Sequence, residues 1–592
     1  MQPFLHVSTN TDLMIYLLRT LSLFSVVFLI ACSKSSSTPG VNAVALDNGS
    51  VETCYDVRVS YTGSNQAKNI CTTREYSGFN GLGVNRFMRI SLPASSSVSI
   101  SATRTSGLDP ADPDLFIYKN GVEINSSRST SANTEALTTS LGAGDYVILI
   151  NDFVYVNSSN KPEAPGFTQS LNQTASKTLS TDAVQLKSNF PCDSSNEKTV
   201  SGLVTFERVY QNGVALNYNS VQPLPIQKAL VEVVCNNLVY SSTFSDFNGR
   251  YNLVFPSAQT SFIRVKAKML KLGNPSWDFS VVDNTTVNQP VYAMDSTPFT
   301  ETTDQINKDL VAKSGWTGSG YGATRVSAPF AILDTVRKAK ELLITQVSTL
   351  NFPALKLNWS VKNIKTTPVD LFNGAIGSSF FDGTEIYLLG AENNDTDEFD
   401  EHVIAHEWGH YFEEYFSRSD SIGGEHTTGD ILDIRLIFGE SFGNALSAMI
   451  LNDAFYVDTS GSQQKNGFFI NMENNNCTNP GWYSECSVQS ILYDIYDPMG
   501  AANSPEANDT VSLTFSAIYD VMTGAQRNTP AMTSIFSFIK SLKNQNPFGG
   551  VPGDIDLLTS GQNIDPIQDI YGSSQINNNP GATNQLPLYQ PF

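Results

Sequence analysis

The sequence predicts a multi-domain fold in which two N-terminal β-sandwich modules are followed by an α+β domain. The chain of 592 residues is too long for one hydrophobic core, so roughly three to four units are expected. Residues 51–155 and 196–297 are dominated by short strands separated by turn signals. A helical stretch over 328–347 opens the region after residue 298, which places the α+β domain in the C-terminal half.

The first β module is expected over residues 51–155. Alternating strands are predicted at four places, namely Arg89–Leu92, Val98–Ser101, Asp114–Tyr118 and Gly144–Leu149. The string Asp112-Pro113-Asp114-Leu115, with Gly144-Asp145-Tyr146 further on, resembles the pre-peptidase module of secreted bacterial peptidases. Asp109, Asp112 and Asp114 are candidate ligands for Ca²⁺, and turn acids without a metal are the alternative.

The second β module is expected over residues 196–297, after a polar linker over 156–195. Its strands are predicted at Val200–Phe206, Ala229–Cys235 and Asp246–Leu253, with a turn signal at Asn248-Gly249. Their order resembles transthyretin-like or carboxypeptidase-regulatory sandwiches. For both modules the resemblance implies scaffolding or substrate docking.

Histidine is scarce and clustered in this chain. Of five histidines, four fall within 25 residues: His402, His406, His410 and His426. Two of them frame the string His-Glu-Trp-Gly-His. On a helix, residues four apart lie on one face about 6 Å apart along the axis, so His406 and His410 can share one Zn²⁺ at about 2.0–2.1 Å. Glu407, turned by roughly 100° from His406, is the expected general base for a water on the metal.

The residues around this string predict that it lies on a helix. Residues 397–401 place acids in what would be the first turn, where the helix dipole favours them. The run to Phe416 contains no proline and one glycine, and its apolar surface is wide enough for a largely buried helix.

A third protein ligand is expected from a second helix about thirty residues further on. The pattern over 430–450 is helical, with Asp430 as the N-cap. Glu440 is the acid of an otherwise apolar, uncharged stretch from Leu436 to Leu451, so its burial requires a cation or a metal as partner. His426 and Glu425 are the alternative third ligands.

Small residues four apart predict that this second helix packs tightly on the first. Gly439, Gly443 and Ser447 form one stripe. A glycine inside a helix costs about 1 kcal/mol relative to alanine, and close approach of another backbone is the usual compensation.

These motifs together resemble the gluzincin metallopeptidases, the thermolysin-like clan, whose third ligand is a Glu on a downstream helix. The resemblance implies a zincin-like α+β metallopeptidase domain over residues 298–560, a bound Zn²⁺ and the hydrolysis of peptide bonds. In thermolysin the Glu opens a Glu-x-x-x-Asp pair, whereas this chain has Asn444, which accepts a hydrogen bond from imidazole without bringing charge. The metzincin signature fails, because Glu413 and Phe416 occupy its Gly and His positions.

Peptide hydrolysis also requires a donor that stabilises the oxyanion. His426, between the ligand segments, is one candidate, and Tyr493 and Tyr496 are others, with a structural role as the alternative for each. Thr384–Gly390 predicts a short strand. In zincins an edge strand before the active helix pairs with extended substrate, and an ordinary core strand is the alternative.

The N-terminus predicts export and a lipid anchor. An apolar run too short to span a bilayer ends in Leu29-Ile30-Ala31-Cys32, which resembles a bacterial lipobox. Residues 1–32 would then be a signal peptide and 33–50 a Ser-rich tether, with lipid on Cys32 holding the chain to a membrane. A plain secretory signal is the alternative. The expected location is the cell envelope, as an outer-membrane lipoprotein, or the extracellular space. At the other end of the sequence, a C-terminal tail is expected over 561–592, rich in Asn and Pro after Gln575.

Cysteine usage agrees with export, since the six cysteines after Cys32 fall as one pair in each of three regions. Local pairing would join Cys54 to Cys71, Cys192 to Cys235 and Cys477 to Cys486. A net charge of −21 argues against nucleic acid as a partner. The sequence therefore predicts a zinc endopeptidase acting on protein or peptide substrates. The contrasting hypothesis is a surface binding or adhesion lipoprotein with an inactive zincin domain.

Overall fold

The structure is a computed structural model, and it describes the following residues: 52–73, 81–107, 111–129, 133–153, 192–427, 429–498, 509, 511–545, 552–575 and 588–592. The predicted signal peptide with Cys32, the tether, Asp109 and most of the predicted linker lie outside these ranges. The described residues confirm a multi-domain, sheet-rich architecture with a few helices.

Two antiparallel sheets face each other in the first unit. Its strands are β1 (Glu52–Tyr61), β2 (Ser64–Thr73), β3 (Asn85–Leu92), β4 (Ser96–Ser106), β5 (Pro113–Lys119), β6 (Val122–Ser127), β7 (Thr134–Leu141) and β8 (Gly144–Asp152). One sheet has the order β2-β1-β4-β7, and the other contains β3-β8-β5-β6. Buried side chains such as Val57, Ile100 and Ile148 form a core of their own, as alternating strands require. The four strands predicted here lie within β3, β4, β5 and β8.

A second pair of sheets follows residue 192. Its segment contains β9 (Glu197–Asn212), β10 (Ala215–Pro225), β11 (Leu230–Cys235), β12 (Leu238–Phe244), β13 (Arg250–Pro256), β14 (Ser261–Lys266), β15 (Lys268–Lys271), β16 (Trp277–Val282), β17 (Ala293–Asp295) and β18 (Leu310–Ala312). One sheet has the order β10-β9-β13 with β18 alongside β9, and the other has the order β12-β11-β14-β17. The predicted turn precedes β13, where Gly249 has a φ of +74°.

Within the described residues, seven α-helices lie in the C-terminal half. This region contains α1 (Ala328–Gln346), β19 (Leu355–Trp359), β20 (Phe380–Phe381), β21 (Ile386–Leu388), β22 (Gly390–Ala391), β23 (Asp395–Thr396), α2 (Glu401–Phe416), α3 (Ile434–Leu451), β24 (Phe455–Ser460), β25 (Asn466–Asn471), α4 (Glu485–Asp494), α5 (Phe515–Asp520), α6 (Ile535–Asn544) and α7 (Pro552–Gly561). A four-stranded sheet has the order β22-β23-β24-β25. A mixed sheet has the order β15-β16-β19-β21-β20, so two strands from within residues 196–297 join the helical region.

The structure decides one open alternative and corrects two local expectations. The strand predicted at Thr384–Gly390 is β21, which lies inside the mixed sheet, while β20 is at its edge. The helix α2 begins at Glu401, so the aspartates before it are not in its first turn. The helix α3 begins at Ile434 with Asp433, not Asp430, as N-cap, because the Asp433 side chain accepts a hydrogen bond from the backbone N–H of Arg435.

The C-terminal residues return to the first unit. Strand β26 (Tyr589–Pro591) pairs in parallel with β3. The same unit contacts the start of α3, because the Asn85 amide donates to Asp433 Oδ2 at 3.0 Å and the Arg435 guanidinium lies over the Phe87 ring. The first unit is thus packed against the helical region at the helix that carries Glu440.

Helix α3 has the length and apolar composition of a membrane span, but 89% of it is buried inside the protein, as in a core helix. The three predicted disulfides, Cys54–Cys71, Cys192–Cys235 and Cys477–Cys486, are all present. This confirms the local pairing and is consistent with an extracellular protein, since disulfides persist in oxidising compartments.

Candidate metal centre

Helices α2 and α3 cross at two glycines. A Cβ at Gly409 would lie 3.0 Å from the Cα of Gly443, and a Cβ at Gly443 would lie 3.0 Å from the imidazole of His406. Both positions therefore exclude any larger residue without a shift of backbone or ring. This close approach, predicted from the glycine stripe, brings the histidines of α2 against Glu440 of α3.

Three side chains converge at this crossing. The Nε2 atoms of His406 and His410 are 3.1 Å apart. Glu440 Oε2 lies 3.3 Å from the first and 3.7 Å from the second. With zinc–ligand bonds of about 2.0–2.1 Å, two ligands of a tetrahedral ion lie roughly 3.3 Å apart. The three ligand atoms therefore have the spacing of three corners of such a tetrahedron.

The carboxylate of Glu440 fits a metal ion for a second reason. The side chain is completely buried, and neither oxygen accepts a hydrogen bond. Burial opposes its ionisation, yet the imidazoles of His410 and His426 outweigh this and hold the pKa of Glu440 well below its usual range. A buried anion without hydrogen bonds requires a cation beside it, and the donor set of two imidazoles and one carboxylate suits zinc.

Each imidazole is oriented by a partner on its other nitrogen. The Nδ1 of His406 lies 2.7 Å from Asn444 Oδ1, and the Nδ1 of His410 faces Glu413 Oε2 at 3.5 Å. A proton on each Nδ1 leaves each Nε2 lone pair for the metal. Burial lowers the pKa of His410, whereas the carboxylates of Glu440 and Glu413 raise it. The carboxylates have the larger effect, so the pKa of His410 lies well above the usual range.

Asn444 is itself held by two acceptors on α4. Its Nδ2 donates to Glu485 Oε1 at 2.7 Å and to Gln489 Oε1 at 2.8 Å. These two bonds fix which end of the amide faces His406. An aspartate at this position would place a second carboxylate against Glu485, so the neighbouring acid favours the amide here.

His426 is brought to the same place by the loop between α2 and α3. Gly423 and Gly424 both have positive φ, which lets the loop turn back. The buried Nε2 of His426 lies 3.7 Å from Glu440 Oε2 and 3.7 Å from Glu485 Oε2. Burial lowers its pKa, but the charges of Glu440 and Glu485 outweigh burial, so the pKa of His426 is raised. The alternative ligand Glu425 is exposed to solvent.

Glu407 lies beside the two histidine ligands. Its side chain is buried, and its Oε2 accepts no hydrogen bond. Burial is the main cause that raises the pKa of Glu407, ahead of the opposing charges of His406 and His410. A carboxylate of raised pKa next to a metal position has the properties of a general base.

Two tyrosines and one histidine that the sequence singles out lie elsewhere. Among the contacts of the described residues, none joins Tyr493 or Tyr496 to the three ligand side chains; their rings pack on each other, with centroids 6.0 Å apart. Burial raises the pKa of Tyr493, and the charges of Glu473 and Asp497 raise it further. The Nδ1 of His402 lies 3.0 Å from Ser447 Oγ, a contact that joins α2 to α3.

The predicted Ca²⁺ ligands of the first unit do not form a metal group within the described part of the chain. The groupings found there are His406 with His410 and Glu440, Asp395 with Asp397 and Asp458, and Glu473 with Asp494 and Asp497. Asp114 is buried on β5, and Asp109 lies outside the described residues.

Sequence reasoning missed the outer residues of the site, namely Glu413, Glu485 and Gln489. Glu413 had a local signal, because it follows His410 at helical spacing on the same face. Glu485 and Gln489 come from a helix more than forty residues beyond Glu440, and no local pattern connects them to it.

Comparisons with known proteins add little. No family model matches the chain, and no curated protein matches it. A solved structure of a Ca²⁺-stabilised adhesin that helps an Antarctic bacterium bind ice has 10% sequence identity and a TM-score of 0.11. The match covers 44% of this chain and 66% of that one. A likeness this weak supports no conclusion about fold or function, so the gluzincin resemblance stays a prediction.

Proposed function

We propose that the chain is a zinc-dependent peptidase whose metal ligands are His406, His410 and Glu440. The observation that carries the proposal is the convergence of two Nε2 atoms and a buried carboxylate oxygen at 3.1–3.7 Å. Neither oxygen of that carboxylate accepts a hydrogen bond. Glu407 supports a hydrolase over a structural zinc site, because a structural site needs no buried base beside it.

The roles of the side chains follow from their positions. When bound, zinc would supply the Lewis acidity that draws charge from the scissile carbonyl and from water. Glu407 accepts a proton from the attacking water and returns it to the leaving amine. His426 donates a hydrogen bond to the carbonyl oxygen as negative charge develops there. Asn444 and Glu413 hold the two imidazoles in the tautomer that leaves Nε2 for the metal.

The substrates would be peptides or proteins outside the cytoplasm. Three disulfides and the predicted lipobox at Cys32 support a lipoprotein of the cell envelope. In that setting the two β-sandwich units would hold the peptidase away from the membrane. Export with cleavage of the signal but no lipid is the alternative, and mass spectrometry of the mature N-terminus distinguishes the two.

The test is the variant Glu407→Gln, assayed on a peptide library at fixed zinc. Removal of the base is expected to lower kcat by at least about 100-fold with one zinc per chain retained, because the amide cannot accept the proton. Glu414→Gln on the same helix is the matched control and is expected to cleave as the wild type does.

Two results would contradict the proposal. One is a Glu407→Gln variant that cleaves as fast as wild type. The other is a wild-type chain that binds stoichiometric zinc yet cleaves no peptide of the library, which would favour a surface binding protein with an inactive zincin domain.

A further inference from the structure

A second buried acidic cluster lies at the start of α2, apart from the imidazole site. Asp395 and Asp397 come just before the helix, and Asp458 lies on β24. One carboxylate oxygen from each falls within 4.8 Å of the others, and all three side chains are buried. Asp400, completely buried, lies alongside and accepts hydrogen bonds from the backbone N–H and hydroxyl of Thr459.

The protein supplies no cation to Asp397 or Asp400, since no salt bridge among the described residues involves either one. Two basic side chains at the start of α2, Arg208 and Lys338, both pair with Glu401 instead. Buried carboxylates this close repel one another, and each carries a desolvation cost. Such a cluster is expected to persist only with a bound positive ion or with protons in its place.

Independent polar atoms at the same place also lack partners. The side chain of Gln464 is 1% exposed, and its Nε2 donates to the backbone oxygens of Thr396 and Thr459. These two bonds fix the amide orientation, and Gln464 Oε1 then accepts no hydrogen bond. The completely buried hydroxyl of Thr396 and Asp397 Oδ1 are likewise without partners. Buried atoms of this kind are normally satisfied, so the two unpartnered oxygens of Gln464 and Thr396, next to the unpartnered oxygen of Asp397, point to a missing ligand.

We propose that Asp395, Asp397 and Asp458 bind a structural Ca²⁺ ion together with the amide oxygen of Gln464. Every donor is a hard oxygen, which suits Ca²⁺ and does not suit zinc. Oxygens on opposite sides of Ca²⁺ lie about 4.6–5.2 Å apart, so the three carboxylates can reach one ion. Mg²⁺ fits less well, because it keeps several waters and is seldom enclosed by protein ligands alone.

At this position a bound ion would have a structural role. Its ligands join the segment that leads into α2 to the strand that follows α3. Those two helices carry His406, His410 and Glu440. An ion here would fix the helices relative to each other without contact with the reacting groups.

The test uses the full chain, stripped of metal and reloaded with zinc alone. Equilibrium dialysis with radioactive calcium is expected to show one more bound ion in the wild type than in Asp397→Asn or Asp458→Asn. Calcium at about fifty times its dissociation constant shifts the wild-type folding equilibrium about 50-fold toward the native state and raises its Tm. The same calcium leaves the Tm of both variants unchanged. Two variants are used so that a failure of one to fold leaves the other.

The matched control is Asp494→Asn in the separate grouping of Glu473, Asp494 and Asp497. It is expected to keep the calcium response. With zinc alone, Asp397→Asn unfolds at the wild-type Tm or above it, because an amide removes repulsion among buried charges. A wild type without bound calcium, or loss of the ion in Asp494→Asn but not in Asp397→Asn, overturns the proposal. Zinc content measured in the same samples keeps this outcome separate from any failure of the imidazole site.

Discussion

One buried cluster lies at the centre of α2 and the other at its start, and the two differ in donor chemistry. The cluster at the helix centre combines the imidazoles of His406 and His410 with one carboxylate, and the cluster at the helix start contains only oxygen donors. Nitrogen donors with an open coordination position suit a reactive zinc, whereas an oxygen cage suits an ion that only holds segments together. If both proposals hold, α2 carries a chemical site at its centre and adjoins an architectural site at its start.

The clusters also differ in how they carry their charge without metal. At the imidazole site protons on His410 and His426 compensate Glu440, and the pKa of Glu440 is lowered. At the oxygen site Asp397 and Asp400 make no salt bridge within the described part of the chain, and the pKa values of both are raised, so these two carboxylates take up protons themselves. Burial, reinforced by Asp395 and Asp458, raises the pKa of Asp397 well above its usual range.

The variant Glu440→Gln is expected to separate the two clusters most sharply. Loss of a direct ligand should weaken zinc binding by more than the roughly 10–100-fold that is typical for outer partners of a metal ligand. Calcium binding should stay at the wild-type level, because Glu440 has no part in the oxygen site. Competition with a chromogenic chelator measures the first quantity, and calcium dialysis measures the second.

The reciprocal control is Asp397→Asn, which should lose calcium and keep zinc. Zinc affinity unchanged in Glu440→Gln would remove this residue from the ligand set and favour His426 in its place. A loss of both ions in one variant would mean that the clusters are not independent.

Local geometry explains which parts of the imidazole site could be predicted from sequence. The spacing of His406, Glu407 and His410 determines their relative directions once a helix forms. Glu440 stood out because an acid in an uncharged apolar stretch must find a partner. His426 was one of several candidates, and only the loop path brings it to Glu440.

Long-range pairing explains what sequence reasoning missed. The acids before α2 were predicted to lie in its first turn, where the helix dipole favours negative charge. Asp397 and Asp400 are instead buried, because β24 passes beside them. Likewise, β16 belongs by sequence to the second β segment yet pairs in parallel with β19. Neither contact has a local pattern, since each depends on which segments pack together in the folded chain.

The amide at Asn444 provides a second way to test the imidazole site. Asn444→Asp should reduce zinc affinity by about 10–100-fold, because the new carboxylate faces Glu485 and loses both donated hydrogen bonds. Adding Glu485→Gln restores a donor opposite the aspartate and should recover most of the affinity. Zinc competition on the single and double variants measures this coupling.

Calcium binding serves as the internal control, since neither change touches the oxygen site. An Asn444→Asp variant that binds zinc more tightly than wild type would mean that an acid at this position is compatible with Glu485. Repulsion by Glu485 would then not account for the amide at this position.

The smallest expected effect is the pH dependence of stability in metal-free protein. An acid whose pKa is raised by folding stabilises the native state below its unfolded pKa, near 3.9 for Asp, and this stability is lost as pH rises through the folded pKa. The pKa values of Asp397 and Asp400 are both raised by burial and by neighbouring aspartates. Their contribution to the free energy of unfolding should therefore decrease with rising pH above about 4, by at most about 1.4 kcal/mol per pH unit for each proton.

Urea unfolding at a series of pH values, with and without calcium, measures this slope. Asp397→Asn should flatten it, and calcium should flatten it in the wild type, because either one removes the need for a proton at this carboxylate. Asp494→Asn should leave it unchanged. A slope of the same size in Asp397→Asn would assign the pH dependence to other groups. The two clusters would then not differ in whether their carboxylates must bind protons in the absence of metal.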